Sequence, residues 1–566
     1  MEERIVIRAE DWLKNAGIVG LYRILKESDE TAEICVEEDQ ICFSAELLQG
    51  FSEKYFLYFI KRYKSTLSLY RILDFEKEVS RWEEDNYRNF TGEDFSKLND
   101  HVDYLKNKLK SRSYMAAYPL IKCSFDPLQK EKELKKITMK KKESLTDRMS
   151  EIQNLVSDLK EIYAFLRQED SQKYIGAKNA MYSIIKNAWE GISILNPQVK
   201  EQNMYVEFDK YFVQSTLDYL KQEKSKWKYH CFSCEMPIKD TNIDLGFMND
   251  IGFDVARKTS HVWDFNNYVH ICPLCRLIYA CVPAGFTYLY DRGMFVNANA
   301  NLEEMFRINN NVFSKVWEDN RDGKSLYAAL FSSMEQQMRE HIEYELSDVQ
   351  VVRLERNRYT FSILSRKFLN TVKKCSSDLA FIRKSSFKEG NDIYYIYNET
   401  MKHLMQGENL FLLIHKLIQM RMNSSENCYF KMGTVGTIIK INDRFLKEAG
   451  YMQDEKKEYS QLELARFIGH NLQEAYGGFD EGKYNKKLDG IAYRMLNALK
   501  TNNKMAFMDS FINAHMYAQQ PIPSLFSDYL NQDLLFKELG YAFVTGMLGE
   551  EWKSKENQAE NQKEGR

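Results

Sequence analysis

Proline is scarce in this chain of 566 residues: there are eight in all, and none falls between Pro283 and Pro521. So long a stretch without the residue that breaks helices favours extended helical structure. No run of about 18 apolar residues occurs, so a hydrophobic spanning helix is excluded. No positively charged leader followed by an apolar core is present either, and a soluble, cytoplasmic protein is expected. Also missing are a Walker loop, a Gly-x-Ser-x-Gly elbow and a nuclease-like cluster of carboxylates, so no catalytic role is expected. Cysteine is sparse as well, ten in all. In a reducing compartment such cysteines are more often metal ligands or redox groups than disulfides.

What is present is unevenly spread. The formal net charge is only −3, yet residues 101–148 hold thirteen Lys/Arg against six Asp/Glu, a local excess of +7. Charge segregated in this way suits an anionic partner. ERIVIRAEDWLKNAGIVGLYRILKES at the start reads as a strand over 4–8 and then a helix capped by Glu10 or Asp11. ICVEEDQICF at 34–43 reads as a tight hairpin. Leu145, Met149, Ile152, Val156, Leu159 and Tyr163 step by three and four behind a Ser144-x-x-Asp147 box, which gives an amphipathic helix over 143–167. Residues 286–299 and 349–364 alternate as strands, and helices return from about 400 onward. The expected fold is α+β: a predominantly helical multidomain protein with small β elements, a four-cysteine zinc-binding module and a C-terminal helical bundle. Its segments are 1–225, mixed and then helical; 226–300, the metal module; 301–400, mixed with a β-hairpin; 401–555, the bundle; and 556–566, a disordered polar tail.

Four of the ten cysteines fall into two Cys-x-x-Cys pairs, Cys231 with Cys234 and Cys272 with Cys275. A two-residue gap lets both thiolates of one knuckle reach one ion, and two knuckles close a tetrahedron. Thirty-seven residues separate the pairs, which is tolerable because loop-closure entropy grows slowly with length. The reading is structural zinc on these four cysteines, with no ligand position left for a catalytic water. A thioredoxin-like pair needs a βαβ pattern that is missing. His230, His261 and His270 stand nearby as substitute ligands or surface residues. Four thiolates around a dication leave a net charge near −2, and Lys224, Lys226, Lys228, His230 and Arg276 flank the pairs where they can offset it.

With these pairs in view, the chain resembles the large subunit of the type I-B CRISPR interference complex (Cascade), a family carrying a paired CxxC–CxxC signature. Three segments carry the likeness: DWLKNAGIVGLYRIL at 11–25, the two knuckles with CRLIYACVPAGFTYLY at 275–290, and KLDGIAYRMLNALKTNNKMAFMDSFINAHMYAQQPIPSLF at 487–526. The resemblance implies a non-nuclease subunit at the foot of a guide-RNA complex. Such a subunit reads the short motif beside the target in double-stranded DNA, helps open the duplex and docks a separate helicase-nuclease. The implied partners are the backbone and foot subunits, the crRNA, the target duplex, the helicase-nuclease and a small subunit. The C-terminal helices resemble that small subunit, which an internal start at Met452 can supply: Lys447-Glu448, encoded AAR-GAR, can spell a purine-rich ribosome-binding sequence just upstream.

The lysines at 106, 108, 110, 130, 132, 135, 136, 140, 141 and 142, with Arg112 and Arg148, suit phosphate contact, which positions DNA without reading it. A solvated helical face is the plain alternative, and both stay open. Arg353, Arg356 and Arg358 fit a strand face or a charge-protected edge. Between the knuckles, Asn249, Arg257, Lys258, Asn266 and Asn267 are side chains of the kind that reach base edges. Two readings from other classes remain: a DNA-processing enzyme with an accessory zinc ribbon, and a zinc-stapled scaffold that binds only proteins.

Overall fold

The computed structural model describes residues 4–140, 143–251, 269–289, 292–298, 301–318, 325–340, 349–355, 358–452, 458–477, 479–480, 483–484 and 486–549. Lys141, Lys142, Arg257, Lys258, His261, Asn266, Asn267, Arg356 and the polar tail lie outside them. The chain is predominantly helical with small sheets, and it divides into two compact units: Met1–Phe313 with Val351–Phe361, and Ser314–Gln350 with Ser362–Arg566. The described residues of the segment 226–300, read from the sequence as the metal module, belong to the first unit. Among the described residues no helix is long and apolar enough to cross a membrane.

The first unit opens as its sequence suggests. Strand Arg4–Arg8 pairs antiparallel with Gln40–Ser44, which in turn pairs with Ile34–Val36. Asp11 is the cap of helix Trp12–Ser28, its carboxylate accepting from the backbone amides of Leu13 and Lys14 at 2.8 and 2.9 Å. Ser144 donates to Asp147 at 2.8 Å, but this pair closes a 3₁₀ turn at Thr146–Arg148, and the amphipathic helix begins at Met149 and runs to Arg167. An aromatic core made of Phe51, Tyr55, Phe56, Phe59, Phe208 and Phe212 fills the helical layer, with the Tyr55 and Phe208 rings stacked at 4.3 Å.

The two β-rich stretches that the sequence shows separately join in one four-stranded sheet, ordered Thr287–Leu289, Arg292–Ala298, Val349–Glu355 and Arg358–Ile363. This placement corrects the reading of Arg353 as an exposed edge charge: it lies on an inner strand and is 1 % exposed, whereas Arg358, on the outer strand, is exposed.

The second unit is a helical assembly with a small antiparallel sheet of Asp392–Tyr395, Ser386–Glu389 and Cys428–Tyr429. Its centre is helix Asp533–Met547, crossed closely by helix Glu458–Ala475. A methyl group on Gly546 would lie 2.0 Å from the Arg466 carbonyl oxygen, so backbone meets backbone there. Helices that precede Met452 share this packing. Asn442 donates to the fully buried Glu538 at 2.8 Å, and the Phe411 and Tyr541 rings stack at 5.9 Å. The bundle is thus not confined to residues after Met452. His415 lies buried against the Tyr541 hydroxyl at 3.4 Å, a structural placement, as its helical pattern suggests.

Candidate metal centre

The first knuckle is a tight hairpin. Tyr229–His230 pairs with Pro237–Ile238, the Cys231 amide donates to the Met236 carbonyl at 2.8 Å, and Glu235 turns the chain with a left-handed φ of 59°. The second knuckle is the start of helix Pro273–Ala280, for which Cys272 is the cap and Pro273 the first residue. Two backbone links hold the knuckles together: the Phe232 amide donates to the His270 carbonyl at 2.7 Å, and the Cys272 amide donates to Cys231 Sγ at 3.2 Å.

These contacts bring Cys231, Cys234, Cys272 and Cys275 into one group whose Sγ atoms all lie within 4.8 Å of one another. Cys234 Sγ and Cys272 Sγ are 3.6 Å apart. A tetrahedral site with metal–sulfur bonds of about 2.3 Å separates its sulfurs by roughly 3.8 Å, so the donor set fits a metal ion. Neither His230, which is exposed, nor His270 joins the group. Hydrogen bonds from Cys234, Cys272 and Cys275 lower the Cys231 thiol far below its ordinary value, while hydrogen bonding with Cys231 and burial push Cys272 and Cys275 up. The helix N-terminus under Cys272 and Cys275 adds a partial positive charge that favours thiolate.

Two buried cations stand at this centre, one beside each knuckle. Arg276 is 8 % exposed; its guanidinium donates to the Tyr211 carbonyl at 2.7 Å and to Ser215 Oγ at 2.8 Å, and lies 4.1 Å over the Tyr211 ring. Tyr211 sits in a π-helical turn, Asp209–Gln214. Lys14 is 1 % exposed; its ammonium pairs with Glu10 and donates at 3.1 Å to the carbonyl of Ser233, one of the two residues between Cys231 and Cys234. The sequence reading missed Lys14, since a lysine after an N-cap reads as a surface residue. Lys226, Lys228 and His230, expected to offset the thiolates, are exposed instead.

The helices that follow the second knuckle are the hub of the unit. Helix Trp12–Ser28 crosses Pro273–Ala280 and Val282–Gly285 at van der Waals limits: a methyl on Gly17 would lie 2.5 Å from the Ile278 carbonyl oxygen, and one on Gly285 2.0 Å from that of Ala16. Carbonyls left over at these short helix ends must find donors. Tyr55 and Trp189 donate to the Ala280 carbonyl at 2.8 and 3.1 Å, Tyr58 and Arg23 to that of Ala284 at 3.1 and 2.9 Å, and Tyr63 to that of Phe286 at 3.2 Å.

The other expected site residues are dispersed. Lys130 forms ion pairs with Asp158 at 2.9 Å and Glu161 at 2.7 Å, Lys136 pairs with Asp103, and Lys106 donates to the Leu134 carbonyl at 2.7 Å. Lys132, Lys135 and Lys140 are exposed and form no ion pair among the described residues. Asn249 anchors its own loop: its amide donates to the Lys186 carbonyl at 2.7 Å and its backbone to Ala188 at 2.9 Å.

Residues 224–287 match a family model described as CRISPR-associated protein (Cas_CXXC_CXXC). No curated protein and no solved structure matches the chain. The matched span holds all four cysteines and the two short helices that Trp12–Ser28 crosses. Over that span the chain is similar to CRISPR-associated proteins with paired Cys-x-x-Cys motifs, which supports a CRISPR-associated protein with a metal-binding cysteine centre.

Proposed function

We propose that this chain is the large subunit of a type I-B CRISPR guide-RNA surveillance complex and that its four cysteines hold structural zinc. In this reading it binds target duplex beside the flanking motif, aids strand opening and docks a separate helicase-nuclease, without catalysing cleavage itself. The family match over 224–287 carries the reading. It is supported by the close crossing of 11–25 and 275–290, two segments on which the resemblance rests, because a crossing that admits no side chain on Gly17 or Gly285 ties their sequences together. Zinc is the metal that four thiolates in a closed site suit best, and with all four positions taken by sulfur it acts by holding the fold. Among the described residues of the basic run, Lys132, Lys135, Lys140 and Arg112 are exposed, form no ion pair and can meet phosphates.

In the same reading Met452 begins a separate small subunit. That product contains helices Glu458–Ala475, Lys486–Lys500, Lys504–Tyr517 and Asp533–Met547, but leaves Glu538 without Asn442 and Tyr541 without Phe411. Affinity purification of the tagged chain from cells that express its neighbouring genes tests the proposal. Guide RNA, backbone subunits and a C-terminal fragment starting at Met452 are the expected companions. A chain that purifies alone and cuts DNA with magnesium overturns the reading as a whole, and an intact-mass spectrum without the fragment overturns the internal start.

A further inference from the structure

We propose that the first cysteine knuckle is a contact surface for an unpaired nucleic-acid strand, with Tyr229 and Phe232 stacking on bases and Lys226, Lys228 and Lys239 meeting phosphates. The inference deepens the reading of the chain as a nucleic-acid-binding subunit and rests on it.

Three large apolar side chains of this hairpin stand in solvent: Tyr229 is 52 % exposed, Phe232 57 % and Met236 48 %. Such residues gather in this way where something binds. Their backbones are not free to fold the rings away. Tyr229 is paired opposite Ile238, the Phe232 amide is bonded to the His270 carbonyl, and the Met236 carbonyl accepts from the Cys231 amide. A metal on the four sulfurs adds a further constraint from beneath, so the rings are displayed at little entropic cost on binding. A rise of about 3.3 Å per residue keeps the Cα atoms of Tyr229 and Phe232 within roughly 10 Å of each other, within reach of neighbouring nucleotides of one strand.

The charge of the same segment selects the partner. Residues 224–240 carry four lysines against Glu235 and Asp240. Lys224 is engaged, its ammonium 4.7 Å over the Tyr219 ring and bonded to the Leu220 carbonyl. Lys226, Lys228 and Lys239 are exposed and form no ion pair among the described residues. They are not required to balance the thiolates, because the buried Lys14 and Arg276 already stand at the two knuckles. Free cations interleaved with exposed rings match a strand that offers phosphates and base faces together. A duplex offers phosphates but keeps its base faces stacked, so the rings favour an unpaired strand.

The test uses the full-length, metal-loaded chain and fluorescence anisotropy with labelled oligothymidine and with a labelled duplex. Tyr229→Ala/Phe232→Ala is expected to weaken oligothymidine binding at least about ten-fold while duplex binding, metal content and melting temperature stay unchanged. A second variant, Lys226→Ala/Lys228→Ala/Lys239→Ala, leaves the rings alone and should reduce the slope of log affinity against log salt by about 0.7 for each phosphate no longer neutralised. Wild-type affinity in both variants overturns the proposal, as does equal weakening on duplex and unpaired strand. Unchanged oligonucleotide binding with loss of the variant from the co-purified complex marks the patch as a protein interface and also overturns it. Failure of the wild-type chain to bind oligothymidine overturns this proposal alone; the broader reading falls only if the assembled complex also ignores target duplex.

Discussion

The backbone of Gly20 meets the carbonyl oxygen of Cys281 so closely that a methyl group on the glycine would lie 2.0 Å from it. The obstacle is backbone, which cannot swing aside as a flexible side chain can. Gly20→Ala must therefore force helix Trp12–Ser28 away from the helices that follow the second knuckle. We expect destabilisation of the first unit by more than about 2 kcal/mol, read as a lower melting temperature. Gly50→Ala, at a surface position with a φ of 64° and no atom near the added methyl, serves as the control and should show only the smaller effect of local backbone strain.

Lys14 supplies a second prediction. Its ammonium lies between Glu10 and the Ser233 carbonyl, beside the first cysteine pair, with almost no access to water. Lys14→Met keeps the packing of the stem and removes the charge, leaving Ser233 without its donor and the first cysteine pair without the buried cation beside it. The variant should fold but release its metal to a chelator faster than wild type. An unchanged release rate would show that Lys14 only pairs with Glu10.

The exposed part of the basic run separates from the committed part. Lys132→Glu, Lys135→Glu and Lys140→Glu together should weaken binding of the assembled complex to every target alike and flatten its salt dependence. Lys130→Glu should instead lower stability, because that lysine is held by Asp158 and Glu161. Melting curves and a salt series on both variants distinguish the two outcomes.

His101 predicts the response to acid. It is buried against the Phe75 ring at 3.8 Å and bonded to the Tyr163 hydroxyl at 2.9 Å, and burial lowers its pKa to about 4. An unfolded histidine titrates near 6.5, so between these values the unfolded chain binds the extra proton and stability falls as pH falls. Across that window the loss amounts to about 3 kcal/mol. Unfolding curves at pH 7 and pH 4.5 should show most of it, and His101→Gln should reduce the difference.

Local features were legible in the sequence. The strand at 4–8, the hairpin over 34–43, the acidic cap at Asp11 and the two Cys-x-x-Cys pairs each depend on neighbours a few residues away. Features set by distant partners were not. Nothing in the sequence around the glycines at 17 and 20 announces their purpose, which comes from the approach of Ile278 and Cys281. Lys130 reads as one of a row of like charges until Asp158 and Glu161 arrive from another helix. Arg353 reads as a strand-edge charge because nothing in its own segment announces that another strand covers it. The base-edge residues proposed between the knuckles divide in a similar way: Asn249 is an internal anchor, while Arg257, Lys258, Asn266 and Asn267 lie outside the described residues.

The most direct test of the account is the metal content of the purified, unchelated chain, measured by elemental analysis beside that of Cys275→Ser. Four sulfurs within 4.8 Å of one another, held by two bonded knuckles, predict about one zinc per chain. Loss of that zinc in Cys275→Ser should come with destabilisation of the first unit, since the binding free energy of a structural metal is folding free energy. Native protein that carries no metal, or a Cys275→Ser variant that retains zinc and melts like wild type, would contradict it.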